Sequence, residues 1–303
     1  MHTTRLRRSI LSVPANRERM VYKAMQLSAD EIMLDLEDSV PVQDKERARR
    51  AAISCLQEAD FGPRVRACRI NDMGTPFAYR DVIDIVEQAG DALDVLVVPK
   101  VADPSQVTAI DLILSQIEAA LDLPRRIGIE ACIETAQGLS RAEAVAASSN
   151  RVEALVFGVA DFTASLGAPP IGVSGHGEGE SGQGRWHSVL CRLAVAARAN
   201  GLQVIDAPYG DHSDPQGLEA SCRISADLGF DGKWAIHPGQ IEIINTQYSP
   251  SIEQVEQARQ VVAAYDQAAD GHSGSLALEG KMIDAASVRL ARSVVDKWEQ
   301  MHK

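Results

Sequence analysis

The chain has 303 residues, 45% hydrophobic and 24% charged, with 22 Gly and 13 Pro, a globular composition that excludes a disordered chain or a miniature stapled scaffold. Its 30 Lys and Arg against 42 Asp and Glu leave a formal net charge of −12, a field that repels a polyanionic backbone, so nucleic acid is not an expected partner. No apolar run nears the ~18 residues of a membrane helix. The run behind Arg5, Arg7 and Arg8 is too short for the apolar core of a signal peptide, so a cytoplasmic protein with no membrane partner is expected.

Short apolar runs alternate with segments of helical spacing. The first, 9–13, leads into Pro14-Ala15-Asn16-Arg17, and the second spans 31–37. The third, 65–70, precedes a helix at 82–88. The fourth, 95–101, precedes one at 104–121, and the fifth, 127–133, one at 138–147. The sixth, 154–159, is followed by a glycine-rich stretch and a helix at 186–199. The seventh, 203–207, precedes a helix at 216–228, and the eighth, 233–236, ends at His237-Pro238. Eight such alternations predict a (β/α)8 TIM barrel with a buried parallel sheet, a doubly wound sheet being the alternative. Beyond it, Tyr248-Ser249-Pro250-Ser251 marks a turn and helix start, and a last helix follows Asp284. The expected organisation is a catalytic barrel over 1–249 and a small helical C-terminal lid over 250–303.

Two stretches are set aside on chemical grounds. Gly177-Glu-Gly179-Glu-Ser-Gly182 matches G-x-G-x-x-G by spacing, but no buried strand precedes it and two glutamates would oppose a pyrophosphate. The segment from Ala168 to Arg185 is therefore expected to be an active-site loop or a surface insertion. The five cysteines are odd in number and contain no C-x-x-C pair, so buried thiols are expected.

Barrel active sites form where strands end. Glu134 and Asp161 close successive strands, and two hard oxygen donors completed by water and substrate suit Mg²⁺, with Mn²⁺ able to substitute. No His/Cys cluster has zinc spacing. Arg69 ends the third strand and offers a planar fork to a carboxylate or oxyanion. It is equally placed for an internal ion pair with Asp35 or Glu37, which share a side of the second strand, and the two readings are compatible. No serine sits in a nucleophile elbow. Ile236 and His237 end the eighth strand as candidate ligand contacts, strand capping being the other reading of His237. Arg5, Arg7, Arg8, Arg17 and Arg19 are either a phosphate-rich ligand's docking point or solvated.

In order along the chain, Ser12-Val13-Pro14-Ala15-Asn16-Arg17, Leu34-Asp35-Leu36-Glu37-Asp38-Ser39-Val40, Arg69-Ile70-Asn71, Pro99-Lys100-Val101, Ile133-Glu134-Thr135-Ala136-Gln137-Gly138, Phe157-Gly158-Val159-Ala160-Asp161-Phe162 and Gly232-Lys233-Trp234-Ala235-Ile236-His237-Pro238 resemble the motifs of the HpcH/HpaI aldolase and citrate lyase β-chain family. Residues 75–84 resemble its L-malyl-CoA/β-methylmalyl-CoA lyase branch in particular. The resemblance implies a homotrimeric or homohexameric TIM barrel. Its implied reaction is reversible retro-Claisen cleavage of a 3-hydroxyacyl-CoA to acetyl-CoA or propionyl-CoA and the small keto acid glyoxylate.

By the same resemblance the metal ligands fall on Glu134 and Asp161, the substrate arginine on Arg69 with Asp35 and Glu37 completing the catalytic set, and a CoA-binding arginine on Arg17. The amides of Val159, Ala160 and Asp161 are expected at the glyoxylate carboxylate, as backbone donors commonly bind anions, and Ile236 and His237 at the CoA ester. The family's lid aspartate, an acid/base reaching a neighbouring subunit, falls on Asp284, whose other reading is a helix N-cap. A (3S)-malyl-CoA thioesterase, a citramalyl-CoA lyase or a citryl-CoA lyase β subunit that binds an acyl carrier protein are the alternative functions.

Overall fold

The computed structural model describes residues 5–169, 184–270, 275–278 and 281–302. Eight parallel strands follow one another around a closed ring: β1 (Ser9–Pro14), β2 (Glu31–Asp35), β3 (Val65–Arg69), β4 (Val95–Val98), β5 (Gly128–Ile133), β6 (Val152–Phe157), β7 (Gln203–Asp206) and β8 (Gly232–Ala235). Pairing of β1 with both β2 and β8 closes it, as the eight alternations predict. The strands are rich in Val and Ile because the sheet is covered on both faces, and each such side chain stabilises by roughly 1.5–3 kcal/mol on burial.

The outer layer includes α1 (Glu18–Ala24), α2 (Lys45–Glu58), α3 (Ala78–Ala89), α4 (Pro104–Leu121), α5 (Ala136–Ser140), α6 (Ala142–Ala146), α7 (Val159–Ser165), α8 (His187–Ala199), α9 (Pro215–Asp227) and α10 (Ile241–Gln247). The start of α4 shows how the sequence sets a boundary: Pro104 occupies the first turn and Asp103 accepts the Ser105 N–H at 2.9 Å. The single helix expected over 138–147 is instead two, α5 and α6, because Arg141 leaves the helical region at φ −118°.

Side chains alternate between the barrel interior and the helix layer, which turns strand parity into three interior levels. The middle is apolar: Ile10, Met33, Ala67, Val97, Cys132, Val156, Ile205 and Trp234 are all buried. Two residues earlier on β2 and β5 lie Glu31 and Glu130, and two later Asp35 and Glu134, so charge is confined to the ends.

At the N-terminal end, Arg7 is buried among Glu31, Glu130 and Glu153. Arg5 pairs with Glu153, and Arg8 with Asp30. A phosphate-docking role for these three arginines is therefore corrected. Their charges are spent on buried carboxylates at the end of the barrel opposite the strand C-termini.

The chain divides into two compact units, 1–246 and 247–303. The second contains α11 (Ile252–Asp270), an antiparallel hairpin of β9 (Ser275–Leu278) and β10 (Lys281–Asp284), and α12 (Ala285–Met301). The hairpin departs from a purely helical reading, since four residues a side are too few to sustain a helical period and pair as strands instead. No helix among the described residues is long and apolar enough to cross a membrane. All five cysteines are free thiols, with Cys55, Cys68, Cys132 and Cys222 buried. Residues 170–183 of the glycine-rich stretch lie outside the described residues.

Candidate active site

Asp35 and Arg69 are register partners across β2 and β3, so parity alone brings them together inside the barrel rim. Arg69 Nε and Nη2 donate to the two Asp35 oxygens at 2.7 Å each, a bidentate geometry that fixes the guanidinium plane. Its Nη1 lies 3.0 Å from Glu37 Oε2, and the guanidinium stands 5.3 Å over the buried Trp234 ring. Arg69 itself is only 8% exposed. Burial alone would raise the Asp35 carboxyl, but the Arg69 charge and bonds, with those of Ser39 and the Glu37 N–H, hold it below the ordinary range.

The turn after β2 is fastened from outside, where buried Lys45 on α2 donates to the Leu36 and Glu37 carbonyls at 2.7 Å each. Glu37 is raised by burial, an effect that Arg69 and Lys100 only partly oppose.

Lys100 follows β4. Its backbone N–H donates to Glu134 Oε1 at 2.7 Å, and its ammonium reaches Glu37 Oε1 at 2.6 Å, Asp38 Oδ2 at 3.2 Å and Asp161 Oδ1 at 3.7 Å. Glu134 and Asp161 thus border the same residue from successive strand ends. Glu134 is 3% exposed, and burial pushes its carboxyl up to about 7, with Glu37 and Asp161 adding to the rise against Arg69 and the Lys100 N–H. Asp161, in the first turn of α7, has a side chain 38% exposed. Asp35, Glu37, Asp38 and Asp161 pair with the cations Arg69 and Lys100, Glu134 accepts only the Lys100 backbone N–H, and Lys45 is the third cation near the group.

That deficit of positive charge and the hard-oxygen donors fit a divalent cation held by Glu134 and Asp161. No group of three or more His, Cys, Asp or Glu arranged for a metal occurs among the described residues. Mg²⁺ is commonly held by one or two carboxylates, with water and substrate filling the rest of its shell.

Gly158 makes room for Glu134. A Cβ there would fall 2.6 Å from the Glu134 Cβ and overlap its carboxylate. Gly158→Ala is expected to cost about 1–3 kcal/mol as an overpacking change. Urea unfolding checks this against Gly74→Ala, whose added carbon meets nothing nearer than 3.5 Å and which should change stability little. Equal stability of the two variants would contradict the close approach.

The remaining expected residues lie as follows. Val159 and Ala160 open α7 beside Asp161. Arg17 is exposed between β1 and α1. Ile236 is 47% exposed just after β8, and His237 Nδ1 accepts the Gly239 N–H at 3.1 Å, which makes His237 the N-cap of a short 3-10 helix over Pro238–Gln240 rather than a cap on the strand. Asp284, in the second unit, N-caps α12: its Oδ1 accepts the Ser287 N–H at 2.8 Å and hydroxyl at 2.9 Å. Sequence reasoning placed Lys100 in the Pro99-Lys100-Val101 motif without giving it a role, and passed over Lys45. A lysine at a strand end, beside several acidic ones, was the available signal for Lys100.

A closed barrel with paired carboxylates and a clamped arginine at its strand C-termini is the site of a TIM-barrel enzyme. The chain belongs to the HpcH/HpaI aldolase/citrate lyase family, which it matches over residues 8–238, and is a lyase. It is 39% identical over 296 residues to an L-malyl-CoA/β-methylmalyl-CoA lyase of Cereibacter sphaeroides, covering 95% of this chain and 93% of that protein. A (3S)-malyl-CoA thioesterase of the same species is 35% identical over 294 residues, covering 96% and 94%. Among solved structures, the CitE protein of Mycobacterium tuberculosis in complex with magnesium, acetoacetate and coenzyme A superposes with a TM-score of 0.73 at 29% identity, covering 95% of this chain and 97% of that one.

Proposed function

We propose that the protein is a Mg²⁺-dependent carbon–carbon lyase that reversibly cleaves L-malyl-CoA or β-methylmalyl-CoA to acetyl-CoA or propionyl-CoA and glyoxylate. The observation that carries this reading is the convergence of a clamped Arg69 with Glu134 and Asp161 on one rim, in a chain 39% identical to a lyase of that name. Cleavage leaves an enolate, so negative charge grows on the thioester oxygen. Arg69 keeps N–H groups on Nη1 and Nη2 beyond those taken by Asp35 and Glu37, held in a fixed plane for that oxygen.

Mg²⁺ held by Glu134 and Asp161 would supply Lewis acidity toward the hydroxyl and carboxylate of the hydroxy-acid end. Asp284 is the proposed proton donor to the enolate carbon, and its Ser287 bonds engage only Oδ1. The amides of Val159, Ala160 and Asp161 are assigned to the keto-acid carboxylate, and Arg17, Ile236 and His237 to the CoA side. A cytoplasmic homotrimer or homohexamer, with the 250–303 lid serving a neighbouring subunit, completes the reading.

The thioesterase relative at 35% identity favours a second reading, in which water attacks the thioester on the same residues. The deciding experiment incubates protein and Mg²⁺ with acetyl-CoA or propionyl-CoA and glyoxylate, pyruvate or oxaloacetate, measuring condensation product and free thiol separately. Condensation with glyoxylate without thiol release is expected. Malyl-CoA supplied in a parallel incubation tests the second reading: malate and free thiol in equal amounts, with no glyoxylate released and no condensation from acetyl-CoA, would establish the hydrolase. Pyruvate or oxaloacetate as the better partner would move the assignment to citramalyl-CoA or citryl-CoA, since pockets distinguish a methyl group by only ~1–3 kcal/mol.

A further inference from the structure

Lys100 has φ 50°, one of two positive values on non-glycine residues among those described. The other, Asp122, ends α4 in the left-handed conformation common at helix C-termini. Lys100 has no such role, and a long side chain rarely adopts this conformation unless its surroundings impose it. What the conformation achieves is a double engagement. The backbone N–H takes Glu134 Oε1, while the ammonium lies among Glu37, Asp38 and Asp161. Arg69 is already committed to Asp35 and Glu37, so among the described residues Lys100 is the cation that pairs with Asp161.

We propose that Lys100 is a built-in counter-ion of the metal site: it holds the carboxylates together before a divalent cation arrives and competes with that cation, so that it sets the metal affinity. The inference rests on the reading of Glu134 and Asp161 as metal ligands. Its physical basis is Coulombic. An ammonium 3.7 Å from one ligand oxygen repels a dication bound to that oxygen. The consequence for the enzyme is a cation bound weakly until an anionic substrate adds negative charge to the rim.

The test measures binding of Mn²⁺ to substrate-free protein, from the electron paramagnetic resonance signal of unbound Mn²⁺, with Mg²⁺ as competitor. Lys100→Gly suits it because glycine accepts the left-handed backbone and keeps the N–H to Glu134 while deleting the ammonium. Mn²⁺ binding to Lys100→Gly is expected to tighten by about tenfold or more, and Mg²⁺ should raise its Tm by more than it raises that of the wild type. Lys100→Arg should retain the wild-type affinity.

Unchanged or weaker Mn²⁺ binding by Lys100→Gly overturns the inference. Glu134→Gln and Asp161→Asn separate the two levels. If both lose Mn²⁺ while Lys100→Gly binds as wild type, the counter-ion role alone fails. If neither loses Mn²⁺, the metal-site reading fails and takes the inference with it.

Discussion

Replacing Arg69 with alanine is expected to lower kcat by roughly 10²–10³-fold, the loss typical of a donor aimed at a developing oxyanion, and to cost about 3–5 kcal/mol of stability. The second effect comes from the partners left behind. Asp35 is fully buried and Glu37 nearly so, and without Arg69 the Asp35 carboxylate keeps only Ser39 and the Glu37 N–H.

The two effects separate in a double variant. Arg69→Ala with Asp35→Asn removes the uncompensated charge and should recover part of the stability, while kcat stays low because nothing replaces the guanidinium. Urea unfolding gives the first number, and cleavage rates at a temperature where every variant is folded give the second. A kcat within about tenfold of wild type corresponds to only ~1.4 kcal/mol and would remove Arg69 from the chemistry.

Much of this site was legible because β parity is rigid. Asp35 and Glu37 share a side of one strand, and Arg69 ends the next, so the ion pair and the candidate oxyanion group could both be expected. Glu134 and Asp161 were legible as strand-end acids. The left-handed Lys100 was not, because that conformation is imposed by neighbours distant in sequence.

The helix α2 was hidden for a related reason. Two of its buried positions are Lys45 and Arg49, whose charges are satisfied by the Leu36 and Glu37 carbonyls and by Asp81. A hydrophobic pattern cannot report a core position filled by a paired cation. The barrel floor escaped likewise: Arg7 precedes β1 and resembles a solvated N-terminal arginine until three strands bring their glutamates around it.

Removing the central arginine of that floor should be strongly destabilising. Arg7 Nε lies 3.1 Å from Glu31 Oε2 and 2.8 Å from Glu130 Oε1, with Nη2 2.5 Å from Glu153 and Nη1 2.5 Å from Gln203. Arg5 also meets Glu153 at 3.0 Å. Three carboxylates therefore share two guanidinium groups in a buried site. Arg7→Met is expected to cost at least about 3–5 kcal/mol, the penalty for orphaning buried charge, which urea unfolding would measure.

The native protein already carries part of this tension. Burial, and next the Glu130 charge, raise Glu31 well above the ordinary value of 4.5 against the pull of Arg7. A carboxyl whose folded pKa exceeds its unfolded one keeps its proton preferentially in the native state. Stability is then greatest below about 4.5 as far as this group is concerned, and falls as the pH rises toward the folded pKa, by up to ~1.4 kcal/mol per pH unit for one proton. Glu31→Gln, which presents a neutral amide in place of the protonated acid, should flatten that slope and hold more stability than wild type at the alkaline end. Urea midpoints across the neutral range decide it. Parallel slopes for the two proteins would mean that the barrel floor carries its charges without retaining the proton.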